Sequence, residues 1–358
     1  MGFDLAKNLK ISPEILKLIA EIDEFKGQWS AISTLTPERL HQLKRVATIE
    51  SVGSSTRIEG AQLSDSEVEQ LLSGVARYSF KSRDEEEVTG YAETMNIIFD
   101  SFQEISLTEN YIKQLHGILL KYSSKDIRHR GEYKKLPNHV EAYDSSGKSL
   151  GVVFQTASPF DTPFRMKELV EWTLTAIQED SLHSLLIISL FILHFLAIHP
   201  FRDGNGRLSR IVTTYLLLKS GYVYVPFASL EKIIEENKDK YYLALRKSQS
   251  RLHDHKEDPS FWILFFLKSL MSQKNVLIQK INDEEKLTDF SELDRQIIRL
   301  IQERETITNR YVQRLTQANA NTIKSHLKKL TSQGIIEHHG KGKGSYYSIL
   351  LKQLAKTK

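Results

Sequence analysis

Apolar residues recur at helical spacing along most of the chain, and strand-like segments are few. Two amphipathic helices are predicted near the N-terminus, the second of them from a repeat of apolar residues at Leu40, Leu43, Val46, Ala47 and Ile49. The most apolar stretch, residues 185–198, contains only Ser189 and His194 as polar interruptions. It is shorter than the ~20 residues that a helix needs to cross a bilayer. We therefore predict a mainly α fold around a buried core helix.

Further helices are predicted from the same spacing and from residues that suit helix ends. Ser64 and Glu67 have the spacing of a capping box. Thr108 is expected to cap the start of one helix, and Gly221 to end another. The predicted helices cover residues 83–102, 107–122, 172–178, 182–198, 208–220, 230–250 and 259–272, followed by a charged helical stretch at 273–289.

One segment in the middle of the chain changes period. Two short β-compatible runs, at residues 138–143 and 150–154, flank the turn-rich sequence Asp-Ser-Ser-Gly-Lys at 144–148. Runs of this kind around a Gly-containing turn are typical of a β-hairpin. We predict a hairpin here, inside an otherwise helical region.

The last ~70 residues have a pattern of their own, which resembles three helices followed by a hairpin. One helix carries Leu293, Ile297, Ile298 and Ile301 on a single face, and two more are predicted at 308–315 and 319–333. Two strands, at 335–338 and 345–349, surround the basic Gly-Lys-Gly-Lys-Gly sequence at 340–344. This order predicts a winged helix-turn-helix domain.

The composition is that of an ordinary globular protein, with 358 residues, 40% hydrophobic and 26% charged. The absence of cysteine excludes disulfides, thiolate metal sites and a cysteine nucleophile. The N-terminal sequence has neither a long apolar run nor a small-residue cleavage site, so we expect no signal peptide, no membrane partner and a cytoplasmic location. A formal net charge of +4 permits a nucleic-acid contact but does not argue for one.

The segment with the most chemical content is residues 199–210, His-Pro-Phe-Arg-Asp-Gly-Asn-Gly-Arg-Leu-Ser-Arg, between two apolar helices. Gly204, Asn205 and Gly206 fall at a predicted helix N-terminus, where unpaired N–H groups and the helix dipole favour an anion. Arg207 and Arg210 are three residues apart on one helix face, and arginine suits forked contacts with phosphate oxygens.

Two other residues of this segment complete a set suited to phosphate transfer. Asp203 can hold a hard cation such as Mg²⁺, which binds through few carboxylates plus phosphate oxygens. His199 can accept a proton near neutral pH. A helix–turn–helix with a glycine turn and surface arginines is the alternative, but it does not account for the coincidence of all these residue types.

This segment resembles the motif of the Fic family, His-Pro-Phe-x-[Asp/Glu]-Gly-Asn-Gly-Arg-x-x-Arg, at every fixed position. The resemblance implies transfer of AMP from ATP to a hydroxyl of a target protein or of the chain itself, with release of pyrophosphate. It implies that His199 deprotonates a Ser, Thr or Tyr hydroxyl and that Asp203 holds Mg²⁺ or Mn²⁺. The hairpin at 138–154 resembles the family's flap, which holds the target segment by strand addition.

The same resemblance assigns contacts with the nucleotide. Arg207 is expected near the β-phosphate, Arg210 at the γ-phosphate, and the Asn205 side chain beside the phosphates. The full set of nucleotide-binding residues that it implies is Gly204, Asn205, Gly206, Arg207, Leu208, Arg210, Tyr241 and Tyr242. Without the resemblance, Tyr241 and Tyr242 would be interpreted as core residues. His116 and His194 are interpreted as buried, hydrogen-bonded residues.

A second segment resembles the inhibitory motif of the same family, [Ser/Thr]-x-x-x-Glu-[Gly/Asn]. It is Ser55-Thr-Arg-Ile-Glu59-Gly60. The resemblance implies that Glu59 pairs with Arg210 and denies this arginine to the γ-phosphate; the alternative is an ordinary helix end. With this motif included, we divide the chain into an N-terminal helical region with the inhibitory motif, a Fic catalytic core, a linker and a winged helix-turn-helix, at residues 1–82, 83–272, 273–290 and 291–358.

Other functions stay open from the sequence. Lysines on the third helix and in the hairpin of the C-terminal domain form a candidate DNA surface, Lys324, Lys328, Lys329, Lys341 and Lys343. Winged helices also serve as protein-docking or dimer modules, so a homodimer is the competing interpretation. The chain as a whole is then either an adenylyltransferase, a DNA-binding regulator whose Fic part senses nucleotide, or an enzyme that removes AMP.

Overall fold

The computed structural model of the chain describes most of its length in two compact units, Met1–Val276 and Leu277–Lys358. The described residues are 4–29, 35–74, 80–143, 149–250, 257–285 and 290–350. The predicted mainly α architecture is confirmed, including the hairpin and the C-terminal winged helix. Within the described residues, no helix is both long enough and apolar enough to cross a membrane.

The first unit is built from helices and one hairpin. Its helices are α1 (Pro13–Trp29), α2 (Pro37–Ile58), α3 (Asp65–Ser73), α4 (Arg83–Ser101), α5 (Glu109–Leu119), α6 (Thr162–Gln178), α7 (Ser184–Ile198), α8 (Asn205–Lys219), α9 (Leu230–Glu236), α10 (Lys238–Gln249) and α11 (Ser260–Glu285), which continues beyond Val276.

The helix α7 forms the centre of this unit. Every residue from Leu185 to Ile198 is buried, including Ser189 and His194. A helix that is apolar on all sides has to be surrounded by others, and α7 packs against α6, α8 and α10. The prediction of a buried core helix is therefore confirmed.

The helix α2 is longer than its apolar pattern indicated. Thr36 caps its start by accepting a hydrogen bond from the Arg39 N–H, and the helix then continues through the small polar residues to Ile58. Ser54, Ser55 and Thr56 are fully buried. Small side chains let a helix approach its neighbours closely, and α2 lies against α4, α8 and α9. The polar patch is therefore a packed helix face.

The predicted helix starts at Ser64 and Thr108 are confirmed. The Ser64 side chain and Glu67 form the reciprocal bonds of a capping box at the start of α3. The Thr108 hydroxyl accepts from the Tyr111 N–H at the start of α5.

Several predicted helix bounds are wrong. The helix predicted at 172–178 begins much earlier, at Thr162. The helix predicted at 208–220 begins at Asn205, because Gly204, at φ +77°, is its N-cap. The helix predicted at 230–250 is two helices, α9 and α10, which meet at Asn237. The stretch at 259–272 and the described part of the stretch at 273–289 form one helix, α11, which is continuous from Ser260 to Glu285.

The predicted hairpin is also confirmed, with antiparallel strands β1 (His139–Tyr143) and β2 (Ser149–Gln155). The pairing runs from His139 opposite Gln155 to Tyr143 opposite Ser149, with irregularities after Val140 and after Ala142. The predicted turn at 144–148 lies outside the described residues.

The second unit contains the predicted winged helix-turn-helix. Its core is aliphatic and includes Ile297, Ile301, Ile323, Leu327 and Leu330, all fully buried. The sheet order is β3-β5-β4, and the two-residue strand β3 was missed by the sequence analysis. The elements after α11 are α12 (Glu292–Arg304), β3 (Thr306–Ile307), α13 (Asn309–Thr316), α14 (Ala320–Ser332), β4 (Ile336–His339) and β5 (Tyr346–Ile349).

Candidate active site

The segment 199–210 forms the turn between α7 and α8 and the first turns of α8. Two residues of the turn, His199 at φ +52° and Gly204 at φ +77°, adopt left-handed backbone conformations. Pro200 cannot continue α7 because it has no N–H and its ring clashes with the preceding turn. A left-handed residue at each end of the turn directs the chain back into α8.

Two side chains brace this turn. The Asn205 amide accepts from the Phe201 N–H at 2.9 Å and donates to the Phe201 carbonyl at 2.7 Å. The Phe201 ring stacks on His116, with 3.8 Å between ring centroids. The predicted contact of the Asn205 side chain with phosphate stays a prediction, since both polar atoms of this amide are engaged within the turn.

His116 is buried and hydrogen-bonded, as predicted, and it also positions the turn. Its Nδ1 accepts from the Gly131 N–H at 2.8 Å, so Nε2 carries the proton and donates to the Asp203 carbonyl at 3.0 Å. Burial lowers the pKa of His116 to about 4, because a charged ring is poorly solvated there. The neutral ring therefore holds Asp203 in place.

His199 has the protonation state that a general base needs. The Leu196 carbonyl, 3.3 Å from Nδ1, can only accept, so Nδ1 carries the proton and Nε2 keeps a lone pair. Burial, followed by the nearby charge of Lys134, lowers the pKa of His199 to about 4, while Glu59 and Asp203 act in the opposite direction. The imidazole is thus neutral at physiological pH.

The start of α8 presents the anion site that the sequence predicted. The first N–H groups of a helix have no partner within the helix, and here they belong to Asn205, Gly206 and Arg207. Leu208, also predicted to contact the nucleotide, is buried, and its N–H donates to the Gly204 carbonyl at 2.9 Å. Leu208 therefore has no free backbone N–H with which to make the predicted contact with the nucleotide.

Arg207 and Asp203 form one ionic network with two residues of α4. The Arg207 guanidinium lies 2.9 Å from Glu87 and 3.4 Å from Asp203. Arg83 reaches the other Asp203 oxygen at 2.9 Å and Glu87 at 2.7 Å. Sequence reasoning missed Arg83 and Glu87, because only the packing of α4 against α8 brings them to the motif.

The Asp203 carboxylate is ionised and suited to a hard cation. Burial raises its pKa, but Arg207, the Gly204 N–H and Arg83 outweigh burial and hold the pKa below its usual range. No cluster of three or more potential ligands occurs among the residues that the structure describes. A single carboxylate together with phosphate oxygens nevertheless matches the way Mg²⁺ is commonly bound.

Glu59 and Ser55 both contact Arg210. A Glu59 carboxylate oxygen accepts from Arg210 Nη2 at 2.9 Å. The Ser55 hydroxyl accepts from Nε at 2.8 Å and the Ser55 carbonyl from Nη2 at 2.9 Å. Arg210 is only 4% exposed, and burial lowers its pKa while Glu59 raises it, with a net increase. The guanidinium is therefore permanently charged and held by α2.

Glu59 also lies directly over the start of α8. A side chain at Gly206 would collide with the Glu59 carboxylate. The glutamate therefore brings its negative charge to the helix N-terminus that the sequence assigned to phosphate. The structure thus places Glu59 beside Arg210, as the sequence predicted, and beside Gly206, which the sequence did not predict.

Tyr241 and Tyr242 have different surroundings. Tyr241 is 3% exposed and packs edge-on against Trp262 and Phe265. Tyr242 is 41% exposed. Of the pair, Tyr242 is the ring available to an adenine, and Tyr241 is a core residue beside Arg210.

The comparisons with known proteins agree with this geometry. Residues 106–217 match the family model described as Fic/DOC family. The chain carries a Fic domain. A protein named "Protein adenylyltransferase Fic" from Drosophila grimshawi is 28% identical over 206 residues, which are 57% of this chain and 40% of that protein. The chain thus spans less than half the length of this curated relative.

Solved structures share the fold. A Fic family protein from Desulfovibrio desulfuricans superposes with a TM-score of 0.62 at 20% identity, covering 96% of this chain and 97% of the other. A Fic-domain signalling protein from Bacteroides thetaiotaomicron gives 0.56 at 24% identity, over 75% of this chain and 94% of the other. These likenesses establish the fold of the chain.

The C-terminal unit has its own match. Residues 290–337 match a family described as winged helix-turn-helix DNA-binding. Lys324 and Lys328 are exposed on α14. Lys329 instead donates to the buried Asp294 of α12 at 2.6 Å, which removes it from the set of free lysines. Lys341 is exposed, and the side chain of Lys343 lies outside those described.

Proposed function

We propose that this Fic chain is a protein adenylyltransferase that is restrained by its own Glu59. It would transfer AMP from ATP to a Ser, Thr or Tyr hydroxyl of a target protein or of itself, and release pyrophosphate. The motif residues around a neutral His199 support the transfer. The contact of 2.9 Å between Glu59 and Arg210 is the observation that carries the restraint.

His199 would act on the acceptor hydroxyl. Its Nε2 lone pair takes the hydroxyl proton as the acceptor oxygen attacks the α-phosphorus of ATP. The bond between the α-phosphorus and the bridging oxygen to the β-phosphate breaks, and pyrophosphate leaves with the electron pair. The acceptor keeps the AMP group through a new P–O bond.

The residues of α8 would bind the phosphates. The N–H groups at Gly206 and Arg207 face the anion, Arg207 neutralises the β-phosphate region, and Arg210 would contact the γ-phosphate. Asp203 would hold Mg²⁺ or Mn²⁺, which neutralises phosphate charge when bound. Arg83 occupies one Asp203 oxygen at 2.9 Å and would have to release it to the metal.

The restraint follows from competition for Arg210. One carboxylate of Glu59 occupies the guanidinium and covers Gly206, where the phosphates would lie. ATP could then enter only in a pose that leaves its γ-phosphate without Arg210. Displacing Glu59 would free the arginine and open the start of α8.

The hairpin of β1 and β2 would dock the acceptor segment by adding a strand. The residue before β1 is bonded to the segment 199–210, since the Asn138 amide donates to the Phe201 carbonyl at 2.8 Å. A target strand bonded to the hairpin would bring its hydroxyl towards His199.

The test compares variants of the full chain. Glu59→Gly should raise transfer of AMP to the chain by ten-fold or more, about 1.4 kcal/mol, because Arg210 regains its γ-phosphate contact. Adding His199→Ala to Glu59→Gly should abolish transfer. Intact-mass measurement after incubation with ATP and Mg²⁺ gives the extent of AMP transfer in both variants. Glu104→Gly, at an exposed acidic residue, is the control.

The outcomes separate the alternatives. Equal transfer by Glu59→Gly and the parent would remove the restraint, and transfer that persists with His199→Ala would remove the base. If the chain instead strips AMP from a modified protein and Glu59→Gly abolishes this stripping, the enzyme removes AMP.

DNA binding by the C-terminal unit is the second function, favoured by the family match at residues 290–337. The full chain should bind a DNA duplex with an affinity that falls steeply with salt, because lysines release counterions from phosphates. Lys324→Ala with Lys328→Ala should weaken binding and flatten the salt dependence. The matched control is Lys329→Ala, since Lys329 is paired with Asp294. Binding that is unaffected by the double substitution would argue against this surface.

A further inference from the structure

Lys134 is a buried lysine that neither motif contains. Its side chain is enclosed, with 4% of the residue exposed. The ammonium donates to the Asn138 side chain at 2.7 Å, to the Thr156 hydroxyl at 2.9 Å and to the Ile198 carbonyl at 3.0 Å. Lysine has three N–H donors and no acceptor, so these three contacts account for all of them.

The surroundings of this ammonium are unusual because they lack a countercharge. No carboxylate among the described side chains lies within ion-pair distance of Lys134. Burial lowers its pKa to about 8. Burying a charge without a partner is unfavourable. The Ile198 carbonyl ends α7, however, and the negative end of a helix dipole favours a cation.

The three acceptors belong to two parts of the site. Asn138 immediately precedes β1 and Thr156 immediately follows β2, so the ammonium joins the two ends of the hairpin. Ile198 immediately precedes His199. The backbone N–H of Lys134 adds a bond to the Pro200 carbonyl at 2.9 Å. Lys134 therefore links the two ends of the hairpin to the residues on each side of His199.

We propose that Lys134 is a positioning residue that fixes the hairpin, and any acceptor strand docked on it, relative to His199. The proposal rests on the transferase function stated above. It assigns to Lys134 no contact with ATP or the acceptor. Its action is mechanical, through the hydrogen bonds to Asn138, Thr156 and Ile198.

A second consequence of the same geometry concerns the charge on His199. The charged groups that face this ring are Lys134, Glu59 and Asp203. Among them Lys134 disfavours the imidazolium, and the two carboxylates favour it. Removing the ammonium therefore removes one cause of the low pKa, and the His199 pKa should rise.

The test uses the full chain without nucleotide. Lys134→Met keeps the length of the side chain and removes all three donors. Hydrogen exchange of the hydrogen-bonded amides in β1 and β2 should become about ten-fold faster or more, since hydrogen bonds from a charged donor are lost. Lys134→Arg should largely restore protection, and Lys135→Met, at an exposed neighbour, should leave it unchanged.

The second readout is the titration of the His199 ring by NMR, assigned from its loss in His199→Asn. Its midpoint should rise by about one pH unit in Lys134→Met, since a nearby positive charge is gone. Lys134→Arg should keep the low midpoint. This titration measures the electrostatic effect of the ammonium on His199, while hydrogen exchange measures its mechanical effect on the hairpin.

Two results would overturn the proposed role of Lys134. A folded Lys134→Met with the exchange and the His199 titration of the parent would overturn the proposal. If Lys134→Met does not fold, Asn138→Ala and Thr156→Ala each remove one acceptor, and unchanged exchange in both would overturn it. Neither readout needs ATP, so a chain that fails to transfer AMP would refute the proposed function and leave this test intact.

Discussion

At the scale of single residues, Arg210 receives contacts from two positions on α2. Ser55 supplies a hydroxyl and a carbonyl, and Glu59 supplies a charge. The Ser55 contacts would remain if Glu59 moved, so the guanidinium would stay oriented. Glu59 is 32% exposed against 4% for Arg210, which makes the glutamate the partner that can leave. The proposed restraint would therefore consist of a fixed arginine and a carboxylate that can be displaced.

Two histidines that the fold keeps neutral should make the stability of the chain depend on pH. His116 and His199 have pKa values near 4 in the folded chain, against about 6.5 when unfolded. Between these values the unfolded state binds more protons, so stability is complete above pH 6.5 and is lost as the pH falls towards 4. Each histidine should contribute roughly 3 kcal/mol to this loss.

Urea unfolding at pH 7 and at pH 4.5 measures this effect. All three tryptophans, Trp29, Trp172 and Trp262, lie in the first unit, so their fluorescence follows that unit. His199→Asn removes one of the two groups and should reduce the pH dependence by about half. A pH dependence that is equal in parent and variant would show that His199 is not held neutral by the fold.

The motif predicted residue types at the site better than it predicted what each atom does. His199, Asp203 and Arg210 lie together, as the resemblance implied. The Asn205 amide, by contrast, braces Phe201, and the Leu208 N–H is paired inside α8. Sequence spacing gives no information on which polar atoms pair locally, so these two differences could not be read from the motif.

At the scale of elements, α2 and its C-cap carry the proposed inhibitory residues Ser55 and Glu59, and Arg57 holds this helix to α9. This guanidinium forms a two-pronged contact with Glu235, at 2.7 and 2.9 Å, and a third contact with Asp65 at 2.9 Å. Arg57 is two residues from Glu59, near the end of the helix. The contacts therefore fix the end of α2 from which the glutamate projects.

Loss of this anchor should loosen the restraint. Arg57→Ala removes the contacts with Glu235 and Asp65, so Glu59 should spend more time away from Arg210. Basal AMP transfer should rise several-fold, while remaining below that of Glu59→Gly, because the carboxylate is still present. Arg45→Ala is the matched control, since Arg45 also lies on α2 and pairs with Glu69 of α3, but is half-exposed.

Rates of self-modification by the two variants, measured with labelled ATP, decide this prediction. An Arg57→Ala chain that is folded and no faster than the parent would show that Arg57 has no part in holding Glu59. The sequence did not single out Arg57, because Glu235 is 178 residues away along the chain.

Pattern predicted the elements better than their bounds. The continuous apolar run identified α7, because every position from Leu185 to Ile198 is buried. The apolar pattern is weak in the last turns of α2, because serine, threonine and glycine form the buried face there. The helix nevertheless continues to Ile58. Small polar residues bury little apolar area, so their packing is not visible as hydrophobic periodicity. The division of α9 from α10 at Asn237 was missed for a similar reason, since both halves are amphipathic.

At the scale of the whole molecule, the chain combines a Fic domain with a winged helix-turn-helix domain. The order of these parts was readable from sequence, because the motif and the hairpin-ended helical pattern are both local signals. The four domain bounds stay a prediction. The continuity of α11 from Ser260 to Glu285 could not be read from the sequence, since charged helical residues are also typical of linkers.

The most direct test of the proposed transfer follows the two ends of ATP in the Glu59→Gly chain. Parallel reactions use ATP labelled at the α-phosphate and ATP labelled at the γ-phosphate. AMP transfer predicts that the α-label stays on the protein, that the γ-label leaves as pyrophosphate, and that His199→Ala in the same background retains neither. Retention of the γ-label on the protein, or retention of neither label by Glu59→Gly, would contradict the proposal.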